Sequence, residues 1–256
     1  MPQNNNNVGT VNPHIYFGLI VTGDSEKGHL PNLFKSLMST GCCTFKIIGQ
    51  VPQRRPITSE QKKLKKIGKG SLIPDRDEDF VKIARRFFQD YPCGFVLLID
   101  DMDGWEERAS DVFKRYRLGL NTMLNSEQQQ RAAVHFLVNM LEAYYFAEAN
   151  AINNALKLDP PLTDYAGDVE TIPNPKHQLK NLHHEFNEVR DGGEILKKLD
   201  VEHVLSRPET CAWLRTLFAW CVKILEDHPY YSLLPDSPSR KYCLAHGTYS
   251  PVTQGQ

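Results

Sequence analysis

The chain has 256 residues, 41% hydrophobic and 24% charged, with a net charge of −1. That composition fits one large or two small globular domains with a sizeable core. It excludes a global field pulling the chain onto nucleic acid or a membrane, so any such contact must be local. Six cysteines without a CxxC pair exclude a zinc ribbon or a small disulfide scaffold. With neither a signal peptide nor an apolar run of bilayer length, the expected location is cytoplasmic.

Residues 1–13 are Asn-rich and read as a disordered lead-in. Ile15–Val21 is an apolar run and the first predicted strand. Thr22-Gly-Asp-Ser-Glu26 breaks it. A helix is predicted from Leu30 to Met38, with Leu30, Leu33, Phe34 and Leu37 at helical spacing. Cys43–Ile48 is a second strand. A basic segment follows with Arg54, Arg55, Lys62, Lys63, Lys65, Lys66 and Lys69, and Glu60 as its only acid. It reads either as a solvated loop or as a local phosphate-contacting patch, in which Arg54, Arg55, Lys62 and Lys63 would meet substrate. Asp77–Tyr91 is an amphipathic helix with Phe80, Ile83, Ala84 and Phe87 on one stripe. It is followed by the apolar run from Phe95. The first hundred residues thus alternate β-α-β-α-β, as a mainly parallel sheet covered by helices would.

Glu106–Leu124 reads as a helix, Ser126–Arg131 as a polar turn, and Ala132–Val138 as a buried strand with His135 inside it. His135 reads as a core histidine. A helix is predicted from Met140 to about Leu156, and residues 160–192 are mixed. Leu196–Leu205 and Pro208–Leu225 are predicted helical, with Pro208 near the first turn of the last helix. The organisation expected is a lead-in over 1–13, an α/β domain over 14–157, a helical extension packed on it over 158–235, and a loose tail over 236–256.

The most informative stretch is Phe95-Val-Leu-Leu-Ile-Asp-Asp-Met-Asp-Gly104. A short apolar run without alternation is a strand buried on both faces, and carboxylates just past it sit at its carboxyl end, where open α/β sheets place ligands. Asp101 and Asp103 are two apart, so on extended chain they point to one side and can meet one Mg²⁺. The plain alternative is an acidic turn with Asp103 capping the next helix. Glu142 opens its predicted helix near a strand end, as a site residue or as an acid favourable to the helix dipole.

In this order the motifs resemble a Toprim-like bacterial family of unknown function related to the Toprim domains of OLD-type nucleases. The motifs are Ile20-Val-Thr-Gly-Asp-Ser-Glu-Lys-Gly-His-Leu-Pro-Asn-Leu33, Asp101-Met-Asp103, Glu142-Ala-Tyr-Tyr-Phe-Ala-Glu148, Asn174-Pro-Lys176 and Cys211-Ala-Trp213. The resemblance spans roughly residues 15–225. It implies a Toprim-like, Rossmannoid sheet and a Mg²⁺-dependent nuclease cleaving phosphodiesters in DNA or RNA, with Mn²⁺ as an alternative metal. It also implies a role in anti-phage defence beside an ABC-type ATPase. Asp101, Asp103 and Glu26 would hold metal, Glu26 and Glu142 would act as further ligands or base, and Lys176 would contact phosphate. One departure stands out. The family's glutamate at the end of the first strand is Thr22 here, and a neutral hydroxyl is neither a carboxylate base nor a good Mg²⁺ ligand. Either Glu26 or Asp24 supplies the missing carboxylate, or the chain is a catalytically degenerate interaction module that partners the ATPase.

Overall fold

The structure is a computed structural model and describes residues 14–52, 64–67, 71–102, 108–227 and 238–252. Its centre is a four-stranded parallel sheet in the order β2-β1-β5-β6. Strand β1 is Ile15–Val21, β2 Cys43–Gln50, β5 Phe95–Met102 and β6 Ala132–Val138. A separate antiparallel pair, β3 (Leu64–Ile67) and β4 (Ser71–Pro74), lies between β2 and β5 in sequence. The expected mainly parallel α/β fold is therefore present. Every residue of β6 is buried, as a parallel strand covered on both faces requires.

Alternation along the strands sorts side chains to two cores. On one face Phe17, Leu19, Val21, Leu97, Ile99 and Leu137 pack beneath the segment after β1 and beneath the C-terminal helices. On the other, Ile20, Val96, Leu98, Val134 and Phe136 pack against α3 (Asp75–Asp90) and α4 (Ala109–Met123). The C-terminal half contributes α6 (Ala149–Leu156), α7 (Pro175–Leu182), α8 (Arg190–Lys198), α9 (Val201–Leu205), α10 (Ala212–Glu226) and α11 (Pro238–Lys241). Leu214, Leu217, Phe218 and Cys221 of α10 belong to the same buried cluster as β1. A stack of rings fastens it there. Phe17 lies 4.4 Å from Phe45, Phe45 4.1 Å from Phe34, and Phe34 5.4 Å from Phe218. Such pairs add about 0.5–1.5 kcal/mol each beyond the area they bury.

Several local expectations change. The chain turns helical earlier than predicted, in α1 (Asp24–His29), followed by a 3-10 segment over Leu30–Phe34 and α2 (Lys35–Met38). The predicted turn at 126–131 is a short helix, α5 (Ser126–Gln130). It carries a reciprocal capping box between Asn125 and Gln128, which satisfies two otherwise orphaned amides. The single helix predicted from Met140 is a 3-10 segment, Leu141–Ala147, broken from α6 at Glu148 (φ −136°, ψ 83°). The last long helix starts at Ala212 rather than near Pro208. Its first turn is closed by the Glu170 carboxylate, which accepts from the Trp213 and Leu214 amides at 2.9 and 3.3 Å.

The tail expected to be loose packs over residues 238–252. Tyr242 is buried, and its carbonyl accepts from the fully buried Arg215 guanidinium at 3.0 Å. His135 is a core residue 5.8 Å from Trp220, and burial pushes its imidazole down to about 3. All six cysteines are free. Among the described residues no helix is long and apolar enough to cross a membrane.

Candidate active site

Strand β1 is followed in sequence by β2 at one edge, and β5 is followed by β6 at the other. The crevice between the carboxyl ends of β1 and β5 is thus the point where the winding reverses, the usual ligand position in such sheets. Three carboxylates converge there. Asp101 leaves β5 on the face of Leu97 and Ile99, paired in register with Leu137. Glu26 is the third residue of α1 and is buried. Glu142 is buried in the 3-10 segment after β6.

That last placement depends on unusual backbone. Asn139 and Met140, between β6 and Glu142, have φ of 53° and 71°. Two consecutive non-glycine residues in this region are strained, and such strain concentrates at functional sites. The Asn139 side chain is held by the Glu170 carbonyl at 2.5 Å, which ties the turn to the segment capping α10.

The cluster perturbs two of its carboxyls, Asp101 and Glu142. Burial, then the charges of Glu26 and Glu142 and a hydrogen bond with Glu26, hold the Asp101 carboxyl well above its ordinary range. Burial also raises Glu142 to about 7, with Glu26 and Glu188 adding to it and Lys176 opposing. The buried Tyr145 hydroxyl is raised by burial and then by Glu142, Glu26 and Asp101, so it stays a neutral donor at the edge of the cluster.

Glu26 reaches this position because Gly23 has no side chain. A Cβ at Gly23 would fall 1.8 Å from Glu26 Oε2. The same oxygen is buried without a hydrogen-bond partner among the described residues. Thr22 is buried at the end of β1, and Asp24 turns away to accept from Gln50 at 2.8 Å. Of the two candidates for the carboxylate that Thr22 lacks, Glu26 is the one placed at Asp101.

Lys176 sits at the rim. Burial disfavours its charge, but a hydrogen bond to Glu188 and the charges of Glu142, Glu188 and Asp101 outweigh that and raise it. Its ammonium lies 2.6 Å from Glu188 Oε2, and Lys180 lies 3.7 Å from Glu188 Oε1. Asp103, Arg54, Arg55, Lys62 and Lys63 lie outside the described residues. Of the basic segment, Lys65 and Lys66 fall on β3.

Opposite, Asp100 points to the other face of β5. It accepts from Tyr116 at 2.5 Å and pairs with Arg76 at 3.7 Å, and it ties the strand end to α3 and α4. Glu148 leaves the site altogether and accepts from the Asp200 amide.

Sequence reasoning missed Glu188 and Tyr145. Glu188 lies in a stretch without periodicity, and Tyr145 reads as one more aromatic on an apolar face. Among the described residues no three His, Cys, Asp or Glu are spaced to hold a metal as they stand. The donor set is nevertheless one of hard oxygens. A Mg²⁺ site commonly uses only one or two carboxylates, completed by water and substrate phosphate, and Glu26 with Asp101 meet that smaller demand. Comparison of the chain with protein-family models, with curated proteins and with solved structures finds no match, so the Toprim resemblance rests on the sequence motifs alone.

Proposed function

We propose that the crevice between β1 and β5 is a divalent-cation-dependent site for phosphodiester hydrolysis on nucleic acid. The observation that carries the reading is the convergence of Glu26, Asp101 and Glu142 at the winding reversal, with Glu26 and Glu142 buried there and Glu26 Oε2 lacking a hydrogen-bond partner among the described residues. Gathering like charges away from water costs stability, and a bound cation would relieve that cost. Glu26 and Asp101 would hold Mg²⁺ or Mn²⁺, which supplies charge neutralisation and an acidified water. Glu142, poised at about 7, is suited to take or return a proton near neutral pH. Lys176 offers a positive charge to a substrate phosphate, and Tyr145 a neutral hydroxyl donor.

The test is calorimetry with Mn²⁺, with and without a short oligonucleotide, on the wild type and on Asp101→Asn with Glu26→Gln. Binding in the wild type that vanishes in the double variant, followed by metal-dependent cleavage lost in the same variant, is the expected result. No binding under either condition would dismiss the reading and favour an interaction module.

A milder change probes the same geometry. Gly23 has ordinary extended backbone (φ −102°, ψ 164°), so Gly23→Ala strains nothing locally and acts only by pushing the Glu26 carboxylate aside. Mn²⁺ affinity is expected to fall about 10-fold, the usual scale for a residue that only positions a ligand, while the melting temperature hardly moves. Unchanged affinity would show that Glu26 does not touch the ion.

A further inference from the structure

We infer that Glu188 is an internal stand-in for a substrate phosphate, so that the Lys176–Lys180 pair is the phosphate subsite of the crevice and Glu188 restricts entry to it. This rests on the phosphodiesterase reading and adds a subsite and a gate to it.

Lys176 and Lys180 lie one turn apart on α7 and therefore project from one face of it. Both ammoniums converge on Glu188, one on each carboxylate oxygen, at 2.6 and 3.7 Å. Two oxygens of one planar anion straddled by two cations is also the contact pattern of two non-bridging phosphate oxygens. Lysine binds such groups as a point charge, without needing the fixed fork of arginine. The pair stands at the mouth of the site. Lys176, Glu188 and Lys180 side chains are 31%, 33% and 47% exposed, whereas Glu26 and Glu142 are buried. Helix α7 packs against the 3-10 segment that carries Glu142, and the charges of Glu142 and Asp101 reach Lys176. A phosphate that displaced Glu188 would therefore remain beside the carboxylates. Glu188 lies in the loop between α7 and α8, so it can swing away without disturbing either helix.

As an ordinary surface ion pair this contact would contribute little to stability. Its consequence would lie in competition: any incoming anion must first displace the carboxylate.

The test uses inorganic phosphate and a short oligodeoxynucleotide as probes, titrated in EDTA so that its outcome is independent of metal binding. Glu188→Gln keeps the shape and removes the charge. It is expected to tighten both probes about tenfold, and Lys180→Gln added to it is expected to cancel the gain. Glu185→Gln, an exposed acid three residues away, should leave affinity within twofold. If Glu188→Gln weakens binding or leaves it unchanged, Glu188 merely orders the lysines and the inference fails. It fails equally if Glu185→Gln tightens binding as much, since general charge would then be the cause. Loss of Mn²⁺ binding with the phosphate effect intact would dismiss the metal reading and leave the subsite standing.

Discussion

Asp101→Asn is expected to stabilise the metal-free protein at pH 8 while abolishing its response to Mn²⁺. Asn has the same shape and no charge, and its amide can donate to Glu26, so it escapes the cost that burial and the charges of Glu26 and Glu142 impose on the Asp101 carboxyl above its ordinary range. Removing a buried functional charge of this kind typically adds about 0.5–2 kcal/mol, or several degrees in melting temperature for a chain of this size. Mn²⁺ at a hundred times its dissociation constant should stabilise the wild type by about 2.7 kcal/mol and the variant by nothing. A variant that is less stable at pH 8, with the Mn²⁺ response retained, would place the ion elsewhere.

Two buried carboxyls, Glu142 of the cluster and Glu170 at the cap of α10, fix the sign of a pH dependence. Glu142 and Glu170 are both raised by burial from 4.5 to about 7. Below pH 4.5 each is protonated whether the chain is folded or not, and neither costs stability. Between 4.5 and 7 the unfolded chain releases the proton and the folded chain keeps it, so stability falls as pH rises and levels off above 7. At about 1.4 kcal/mol per unit, each group contributes on the order of 3 kcal/mol as an upper bound. Glu142→Gln should flatten its share of this slope in urea titrations from pH 5 to 8. Glu170→Gln should do so without losing the helix cap, because the Tyr144, Trp213 and Leu214 donors all meet the same carboxylate oxygen.

The largest loss of stability is expected at Arg215. Its guanidinium is fully buried and donates to the carbonyls of Leu205, Tyr242 and Cys243 through Nη1 and of Arg207 and Thr210 through Nη2, at 2.7–3.2 Å. Gly247 completes the pocket, since a Cβ there would fall 2.1 Å from Nε. Arg215→Met keeps much of the volume but leaves five acceptors without their donor, each costing on the order of 1 kcal/mol or more. A loss above about 4 kcal/mol is expected, within the rare class of severe single changes. Residues 238–252 should become protease-sensitive, because two of the five carbonyls belong to them. Arg215→Lys should fall between, as one ammonium cannot serve both sets. Wild-type stability in Arg215→Met would refute the clamp.

Strands β3 and β4, four residues each within or just after the basic segment, were not legible, whereas β2 was legible despite Thr44 and Lys46. Strands β1, β5 and β6 were legible as nearly continuous apolar runs, the pattern of a sheet buried on both faces. Asp101 was legible for the same reason, being the first polar break on its face of β5 after Leu97 and Ile99. Glu26 was harder. It came into view only through the missing glutamate at Thr22, and only the open space at Gly23 separates it from Asp24. The break at Glu148 was hidden, since apolar residues recur on both sides of it and periodicity cannot register a change of helix type. The left-handed turn at Asn139–Met140 gave no signal either, because neither residue is glycine. Glu188 depends on its loop folding back onto Lys176 and Lys180 of α7, a contact that local patterns do not carry.

The core shared between β1 and α10 has a consequence for how the chain is made. The face of the sheet bearing Phe17, Leu19 and Leu137 is covered by residues as late as Leu244. At roughly 5–20 residues per second of synthesis, that face waits on the order of 5–20 s after β6 has emerged from the ribosome. During that interval the nascent chain presents an uncovered apolar sheet, the kind of surface a holding chaperone binds. A ribosome stalled between 157 and 212 should accumulate such a chaperone-bound, protease-sensitive chain rather than a folded N-terminal domain.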